Sequence, residues 1–316
     1  MTGTPLDLTP FGALLQGIGV IYWLLAALGL WLALRGTARW RTKLLRLIPV
    51  VLLFGFVPGR MGWEAFQARR HLNMAVTLFQ ERCKSAGEKI SRTVENVDGI
   101  VWMKWREPYS NADNFADQFK LNDPYGRDCG AEDCIANLLR VTAGATLNPE
   151  EAKRHGAGYR FVETVDPRDG QRYRYTASLE QGWNPEAIDR YKKEKGGDLP
   201  SYSYQFKVGR VPIEKYSAGY GVTWDDISTR EDREHWIAGG SMKVIDLQSN
   251  EVIAERVGYM VDQGQGSQAG FRSPWLYAVQ TACPEFPHEP NNSRRGRTLH
   301  EIPNFIASAL HPTKGE

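Results

Sequence analysis

The stretch FGALLQGIGVIYWLLAALGLWLAL, from Phe11 to Leu34, contains 24 residues and no charged side chain. An α-helix rises about 1.5 Å per residue, so a helix of this length crosses the hydrocarbon core of a bilayer, which is about 30 Å thick. The stretch is longer than the apolar part of a secretory signal peptide, and no small-x-small cleavage motif follows it. The sequence therefore predicts a transmembrane helix at about residues 11–34.

The charges on the two sides of this stretch predict its orientation. One charged residue, Asp7, precedes it. The basic residues that follow it are Arg35, Arg39, Arg41, Lys43 and Arg46. Loops rich in Lys and Arg stay in the cytoplasm. We therefore expect residues 35–46 to form a cytoplasmic loop and Met1 to lie on the opposite side of the membrane.

A second apolar run, LIPVVLLFGFV at residues 47–57, follows the basic loop. Its 11 residues alone are typical of an interfacial or buried helix. Arg46 and Arg60 can extend their charged ends towards opposite headgroup layers and Trp63 suits an interface, so a second helix at about 45–63 can also cross. Two crossings place the remaining chain outside the cytoplasm. A run that only lies on the membrane would leave it inside.

The composition of the whole chain is that of an ordered protein with a membrane anchor. Of its 316 residues, 24% are charged and 42% hydrophobic, which excludes disordered, collagen-like and low-complexity classes. A mean hydropathy of −0.44 excludes a polytopic transporter. The net charge of +2 divides into +5 for residues 1–63 and −3 for the rest. We therefore expect the membrane as a partner and no nucleic acid.

The four cysteines, Cys83, Cys129, Cys134 and Cys283, all follow the second apolar run. An even number of cysteines in an exported region is typical of disulfides. Cys129 and Cys134 would close a short loop, which leaves Cys83 and Cys283 for each other. Two alternatives stay open: free buried thiols at Cys83 and Cys283, and a zinc site at Cys129 and Cys134, which would need two further ligands. We expect disulfides, with no metal and no cofactor.

Four regions follow from these patterns and from the turn residues. They are a membrane anchor at 1–63, a helical stalk at 64–95, an α+β domain outside the cytoplasm at 96–283 and a Pro-rich tail at 284–316. The prolines of the last region predict an extended or poorly ordered chain. Within the domain, strands are joined by short turns and helices group at the two ends. This order predicts an antiparallel sheet with flanking helices.

Two hairpins and a short helix are the clearest local signals in the domain. Residues 159–176 have the pattern of two strands around the turn DPRDG, and residues 235–262 that of two strands around QSN. Asn184 and Pro185 are typical of a helix start and Gly196 of a helix end, so we predict a short helix between them.

No catalytic motif stands out in the sequence. The HExxH, GxSxG, SxxK and phosphate-loop patterns and the CxxC pair are absent, and the six histidines show no paired spacing. Ten of the 13 tyrosines lie between Tyr159 and Tyr277, so an aromatic face that binds cell-wall glycan or peptide is an alternative to a purely structural role. The candidate residues for that face are Tyr202, Tyr204, Tyr220, His235 and Trp236.

The sequence therefore favours a non-enzymatic protein of the bacterial inner membrane. Its N-terminus and its C-terminal domain lie in the periplasm in this prediction, and the domain acts through contact with a protein partner of unknown identity. Immunity to an envelope-directed toxin and an accessory role in envelope assembly both suit this architecture. Two alternatives stay open: a sensor of cell-wall glycan or peptide, and an envelope hydrolase of an unrecognised type in which His235 acts beside nearby carboxylates.

Overall fold

The computed structural model describes residues 10–35, 39–108, 115–127, 129–140, 158–197, 199–200, 203–286 and 301–313. The chain divides into two compact units, Met1–His71 and Leu72–Glu316. The first unit contains the helix α1 (Pro10–Leu34) and most of α2 (Trp40–Cys83), whose last turns belong to the second unit. Both helices are candidate membrane spans by length and composition.

The two helices of the first unit approach closely where α1 carries small residues. Ala26, Gly29 and Ala33 are spaced to share one face of α1, and both alanines are buried. A Cβ atom at Gly29 would lie 3.1 Å from Cγ1 of Val50 in α2, which is tighter than an ordinary van der Waals contact. Small residues at this spacing let membrane helices pack with their backbones close together. A larger residue at Gly29 would therefore push α1 away from α2.

A hydrogen bond from α1 compensates for a proline in α2. Pro58 has no N–H, so the carbonyl oxygen of Phe54, four residues earlier, loses its partner within the helix. The Tyr22 hydroxyl donates a hydrogen bond of 2.6 Å to this carbonyl oxygen, and the Tyr22 and Phe54 rings meet edge to face with centroids 5.5 Å apart. Tyr22 therefore satisfies a backbone acceptor that is costly to leave unpaired inside a bilayer.

The second unit is an α+β domain built around a nine-stranded sheet. Its strands are β1 (Gly87–Ile90), β2 (Val94–Val97), β3 (Gly99–Trp102), β4 (Phe161–Val165), β5 (Arg172–Gln181), β6 (Tyr204–Pro212), β7 (Tyr220–Asp226), β8 (Ile237–Asp246), β9 (Glu251–Val261), β10 (Ala282–Cys283) and β11 (Leu310–Pro312). The order across the sheet is β1-β9-β8-β7-β3-β4-β5-β6, and β10 also pairs with β9. The strands β2 and β11 form a separate parallel pair.

Helices cover parts of this sheet and connect its strands. They are α3 (Glu132–Arg140), α4 (Pro185–Lys195), α5 (Arg230–Glu234), α6 (Pro274–Ala278) and α7 (Glu301–Ala309). Side chains of α3 and α7 form the main core together with those of the central strands, among them Ile135 and Leu138 of α3, and Trp102 of β3. A smaller core joins Trp275 of α6 to Met260 of β9.

The sheet is mixed, so the prediction of an antiparallel sheet is correct only for part of it. The short strand β3 pairs in parallel with both β4 and β7, and the other pairs described in this sheet are antiparallel. Parallel neighbours need a long crossover connection, which the chain between Trp102 and Phe161 provides. All four residues of β3 are buried, which is typical of a strand covered on both faces.

The two predicted hairpins and the predicted short helix are confirmed. β4 and β5 join at a turn in which Gly170 has a φ of +70°, and β8 and β9 join at a turn in which Asn250 has a φ of +57°. Gly and Asn adopt this left-handed conformation more readily than other residues. At the start of α4, the Asn184 side chain accepts a hydrogen bond of 2.8 Å from the Ala187 N–H.

The region predicted as a helical stalk, 64–95, is helical only in its first part. The helix α2 ends at Cys83, and the chain then forms β1 and β2. The strand β1 is polar and exposed at most positions, which hides it from a search for alternating apolar residues, but it pairs along its whole length with β9. Within the second unit, the end of α2 shares an apolar cluster with the sheet that includes Ala75, Phe79, Ile237, Tyr259 and Val261.

The region predicted as an extended tail, 284–316, contains α7 and β11 in its described residues 301–313. The apolar side of α7 enters the main core through Phe305 and Ile306. The prolines of this region do not exclude a helix. Pro303 lies in the first turn of α7, where the N–H groups have no partner within the helix, so its missing N–H costs no hydrogen bond. Residues 301–313 are therefore part of the folded domain.

Candidate functional site

The structure places the four cysteines in the two pairs that the sequence suggested. Cys83, at the end of α2, and Cys283, in β10, have a Cα–Cα distance of 5.7 Å and a sequence separation of 200. Cys129 and Cys134, before and within α3, have a Cα–Cα distance of 5.0 Å and a separation of 5. Both pairs lie at disulfide distance. The first joins the end of α2 to the sheet, and the second closes the loop before α3.

The basic residues of the predicted cytoplasmic loop lie where α1 ends and α2 begins. Arg35 follows α1, and its guanidinium carbon lies 4.5 Å from the ring centroid of Trp31. Arg39 precedes α2. The remaining three, Arg41, Lys43 and Arg46, occupy the first two turns of α2. Positive charge is therefore concentrated at the connection between the two candidate membrane spans.

The tyrosines of the predicted aromatic face lie on separate parts of the sheet. Tyr220 begins β7 and is half-buried, whereas Tyr204 begins β6. Three strands separate β6 from β7, so the two positions are about 19 Å apart across the sheet. Tyr202 lies outside the described residues. The described positions therefore do not combine into one tyrosine-rich face.

His235 and Trp236 lie next to each other between α5 and β8. Trp236 is buried, and its ring centroid lies 5.1 Å from that of Trp275. His235 is half-buried, and its backbone carbonyl accepts a hydrogen bond of 3.2 Å from the Gln265 side chain. Trp236 therefore contributes to the core of the domain rather than to an open aromatic surface.

β5 and β6 extend beyond β4 as a two-stranded ribbon, of which Ala177 and Phe206 pack against the main core while most other described residues are exposed. β4 pairs with β5 only at Arg172–Tyr175, whereas β6 pairs with β5 from Tyr173 to Gln181. Beyond β4, no third strand among the described residues joins the ribbon. The helix α4 connects the two strands and has no buried residue. We call residues 176–209 the β5–β6 arm.

The outer edge of β6 is open. At one end of the β5–β6 ladder, the Gly182 N–H donates a hydrogen bond of 2.7 Å to the Ser203 carbonyl. At the other end, the Ile213 N–H donates one of 2.9 Å to the Arg172 carbonyl, and the register between them is regular. The backbone N–H and C=O groups of odd-numbered residues in this segment therefore point towards β5, and those of even-numbered residues point away from it. The residues whose backbone groups point outwards are Tyr204, Phe206, Val208, Arg210 and Pro212, of which Pro212 has only a C=O group.

The two basic residues of β6 are paired within the chain. Nζ of Lys207 lies 2.6 Å from Oε2 of Glu180 on β5, and Arg210 pairs with the buried carboxylate of Asp166. Val208, at the centre of the strand, is 37% exposed. The open edge therefore combines outward backbone groups with side chains whose charges are already balanced. This is the property that lets a second strand approach without charge repulsion.

Asp166 fixes the base of the arm. Its buried carboxylate accepts hydrogen bonds from the Arg168 backbone N–H at 2.9 Å, from Nε of Arg168 at 2.9 Å and from Arg210. The Arg168 guanidinium is the main reason that the pKa of the Asp166 carboxyl lies well below its usual range. Because Arg168 belongs to the β4–β5 turn and Arg210 to β6, one carboxylate holds three strands together.

Replacement of Asp166 by Asn is expected to remove part of the acid sensitivity of the domain. The folded-state pKa of Asp166 lies below its unfolded value of about 3.9, so the carboxylate stabilises the fold above that value and loses this effect as pH falls through the lower folded-state pKa. Thermal unfolding of the full chain in detergent, between about pH 5 and pH 2, measures this effect. The melting temperature of the wild type should fall more on acidification than that of Asp166→Asn.

The control for this experiment is Asp189→Asn, at an exposed position of α4. This variant removes one carboxylate without touching the base of the arm, so it should follow the wild type across the whole pH range. If the melting temperatures of Asp166→Asn and of the wild type decline in parallel, Asp166 does not carry the expected share of the acid sensitivity.

A small cavity of about 30 Å³ lies beside a buried charged cluster. The Arg106 side chain is fully buried, its Nη2 donates a hydrogen bond of 2.7 Å to Oδ2 of Asp123, and its guanidinium lies 4.2 Å from the Trp224 ring centroid. Nε and Nη1 of Arg106 have no hydrogen-bond partner in the described part of the chain. Other residues that line the cavity are Ser241, Arg256, Phe286 and Glu301. The volume gives room for about two water molecules, which would satisfy these donors.

Asp123 connects the loop before α3 to the sheet. Its Oδ1 accepts a hydrogen bond of 2.9 Å from the Gly126 N–H, and its own N–H donates one of 2.8 Å to Oδ2 of Asp226 in β7. Complete burial raises the pKa of the Asp123 carboxyl, although Arg106 acts in the opposite direction. Nothing in the sequence indicates this cluster, because Arg106 precedes and Asp123 lies within a stretch, 107–134, that has the pattern of an irregular loop. The cavity beside this cluster has no room for a metabolite.

A second exposed feature is the loop between β9 and α6. The buried carboxylate of Asp262 accepts hydrogen bonds from the backbone N–H groups of Gly264 at 3.0 Å and Gly266 at 2.8 Å, and from Arg272. Phe271, near the end of this loop, is fully exposed and has a φ of +61°. Aromatic residues are enriched at protein contact surfaces.

No protein-family model matches this chain, and no curated protein and no solved structure is similar enough to count as a match.

Proposed function

We propose that this chain is anchored in the bacterial inner membrane and that its α+β domain lies in the periplasm, where it acts by protein–protein contact as an immunity-like or envelope accessory protein. The observation that carries this proposal is the β5–β6 arm, which presents the outward N–H and C=O groups of β6 on an exposed ribbon. Unpaired strand edges act as templates for another chain, and strand addition is a recurring mode of protein recognition.

The sparse packing of the arm favours a partner. A two-stranded hairpin is at best marginally stable in water, and three or more strands with a packed face are needed for independent stability. Residues 176–181 pair with β6 alone among the described strands, and the helix α4 gives the arm no buried residue, so the packing described for the arm comes from Ala177 and Phe206 against the main core. A strand added to β6 would supply the missing third strand. The arm is therefore the surface at which we expect the domain to work.

Two features support the compartment. Positive charge is concentrated between two candidate membrane spans, which under the positive-inside rule favours a cytoplasmic connection. Two cysteine pairs lie at disulfide distance in the second unit, and disulfides persist mainly in oxidising compartments such as the periplasm. Both features favour a domain on the side of the membrane opposite to residues 35–46.

A cell-impermeant maleimide should label the two sides of the membrane differently. Lys193→Cys, at an exposed position of α4, is expected to react in intact spheroplasts, whereas Thr42→Cys, at an exposed position beside the basic connection, should react only after lysis. Each variant carries one free thiol because the four native cysteines are paired. The reversed labelling pattern would place the domain in the cytoplasm and overturn the proposed location.

Tyr22→Phe is expected to weaken the contact between α1 and α2 by about 0.6–2 kcal/mol, because the Phe54 carbonyl loses the hydrogen bond that Tyr22 donates to it in a bilayer. Pro58→Ala restores an N–H for that carbonyl within α2, so Tyr22→Phe should have a much smaller effect in the Pro58→Ala background. The measurement uses fluorescent labels on cysteines introduced at Gly17 and Gly62, where an added Cβ atom has no other atom within 4 Å. Energy transfer between the labels decreases as a denaturing detergent separates the two helices. Equal effects in both backgrounds would contradict the compensation.

Site-specific photo-crosslinking tests the contact function itself. A photoreactive amino acid in place of Val208 in the full chain, activated in intact cells, is expected to form a covalent adduct with a protein. The control position is Glu251, which is exposed at the β8–β9 turn, away from the arm. The proposal fails if Val208 yields no protein adduct, or only the adducts that Glu251 also yields.

A further inference from the structure

The outer edge of β6 is complementary to itself in one antiparallel register. When Val208 lies opposite the partner's Val208, Phe206 lies opposite the partner's Arg210, and Tyr204 lies opposite the partner's Pro212. All of these positions face away from β5, so their N–H and C=O groups meet across the new pair. The Val208–Val208 pair and the two Phe206–Arg210 pairs form two hydrogen bonds each. The two Tyr204–Pro212 pairs form one each because proline has no N–H, which gives about eight hydrogen bonds in total.

The side chains agree with this register. Arg210 is paired with Asp166 and lies over the Tyr173 ring of its own chain, and Phe206 packs against the main core, so both side chains are already held within their own chain when the partner approaches. Lys207 lies opposite the partner's Gly209, so no two like charges are directly opposed. The positive charges of Lys207 and Arg210 are balanced by Glu180 and Asp166 of their own chain.

The two neighbouring symmetric registers are less favourable. Centring the pair on Lys207 places two lysines directly opposite each other at the close, non-hydrogen-bonded spacing, where like charges are destabilising. Centring it on Gly209 moves Pro212 inwards, opposite the partner's Phe206, and leaves about six hydrogen bonds. In the register centred on Val208, the missing N–H of Pro212 falls at the ends of the ribbon.

From this geometry we infer that β6 pairs with β6 of a second copy of this chain, antiparallel and centred on Val208. This inference rests on the proposed contact function and names the partner at the same surface. The resulting ribbon, β5–β6 followed by the partner's β6 and β5, has four strands and so exceeds the number needed for a stable sheet. Self-pairing also removes two open edges at once, which protects each copy from unspecific strand addition.

Cysteine crosslinking of the full chain in membranes tests the register. In Val208→Cys the two new thiols belong to one hydrogen-bonded pair with a Cα–Cα distance of about 5.5 Å, within the range that a disulfide bridges. Mild oxidation should therefore convert most of the protein into a covalent dimer on non-reducing electrophoresis. In Gln205→Cys, an exposed control on the same strand, the two thiols lie six residues apart, about 20 Å, and should remain unlinked.

A mixture of Gln205→Cys and Val211→Cys adds a positive test. These two positions lie opposite each other in the proposed register, so co-expressed variants should form a mixed dimer that neither forms alone. Crosslinking of Gln205→Cys alone, or no crosslinking of Val208→Cys, would overturn the inference.

Val208→Pro tests the backbone contribution. The Val208 N–H points away from β5, so proline removes an outward donor and leaves the ladder between β5 and β6 intact. Light scattering of the full chain in detergent should show a dimer for the wild type and for the control Val208→Thr, and a monomer for Val208→Pro. A cooperative thermal unfolding transition of the Val208→Pro monomer shows that the domain remains folded. A dimer that persists in Val208→Pro would contradict the pairing.

The two proposals fail in distinguishable ways. A photo-crosslinked adduct at Val208 with twice the mass of the chain supports self-pairing. An adduct with a different protein keeps the contact function and overturns self-pairing. No adduct, together with a monomer in light scattering, overturns both.

Discussion

Replacing Cys83 and Cys283 together by alanine is expected to lower the free energy of unfolding by about 5 kcal/mol, whereas the same change at Cys129 and Cys134 is expected to cost about 2 kcal/mol. The difference follows from the sequence separations, which are 200 for the first pair and 5 for the second. A crosslink that closes a long loop removes more conformational freedom from the unfolded chain than one that closes a short loop. The first pair also ties the end of α2 to the sheet.

The two double variants control for each other, since each removes two sulfur atoms and one crosslink. Cys129 and Cys134 are only 2% and 1% exposed, whereas Cys83 and Cys283 are half-buried. Losses of packing alone would therefore produce the opposite order of stability. Urea unfolding of the full chain in detergent, followed by tryptophan fluorescence, measures both free energies. A larger loss for the Cys129 and Cys134 variant would refute the loop-closure argument.

Features that depend on neighbours in sequence were predictable. The turn around Gly170 and the cap at Asn184 rest on the conformations that individual residues prefer. The candidate span at 11–34 rests on an uninterrupted apolar run. The pairing of Cys83 with Cys283 was expected once the short loop at Cys129 was assigned, with free thiols as the open alternative, and the structure places the two residues at disulfide distance.

Features that depend on distant partners were not predictable. β3 resembles any short apolar strand, and only its position between β4 and β7 makes it parallel to both. β1 is polar and exposed, so nothing in its residues distinguishes it from a helix until β9 lies beside it. The open edge of β6 likewise depends on the order of the strands. In a central position, the same sequence would be hydrogen-bonded to a neighbouring strand on both sides.

The buried charges follow the same rule. Arg106 resembles Lys104 in the sequence, since both are basic residues after β3, yet one is buried and the other exposed. Both lie against the ring of Trp224, with Nζ of Lys104 4.3 Å and the Arg106 guanidinium carbon 4.2 Å from its centroid. The two environments differ because the loop that carries Asp123 buries Arg106 and pairs with it, whereas Lys104 stays exposed. This pair therefore offers a matched comparison of a buried and an exposed cation.

Arg106→Met is expected to lower the free energy of unfolding by about 3–5 kcal/mol, because it leaves the Asp123 carboxyl buried without its cation. Lys104→Met removes a cation from an exposed pair with Asp225, where the side chains are 44% and 55% exposed, and should cost about 1 kcal/mol or less. Both changes exchange a long basic side chain for a long apolar one beside Trp224, so the difference between them measures the effect of burial. Equal losses would show that burial of the Arg106–Asp123 pair is not what matters.

The decrease in the free energy of unfolding that Arg106→Met causes should also depend on pH. Burial already raises the pKa of Asp123, and removal of Arg106 raises it further, so the folded state of the variant takes up a proton that the unfolded state releases. Its stability is fully present below the unfolded pKa of about 3.9 and falls as pH rises towards the folded-state pKa. The difference in unfolding free energy between the wild type and Arg106→Met should therefore be larger at about pH 8 than at about pH 5. Addition of Asp123→Asn, which suits the φ of +45° at this position and cannot ionise, should abolish that pH dependence.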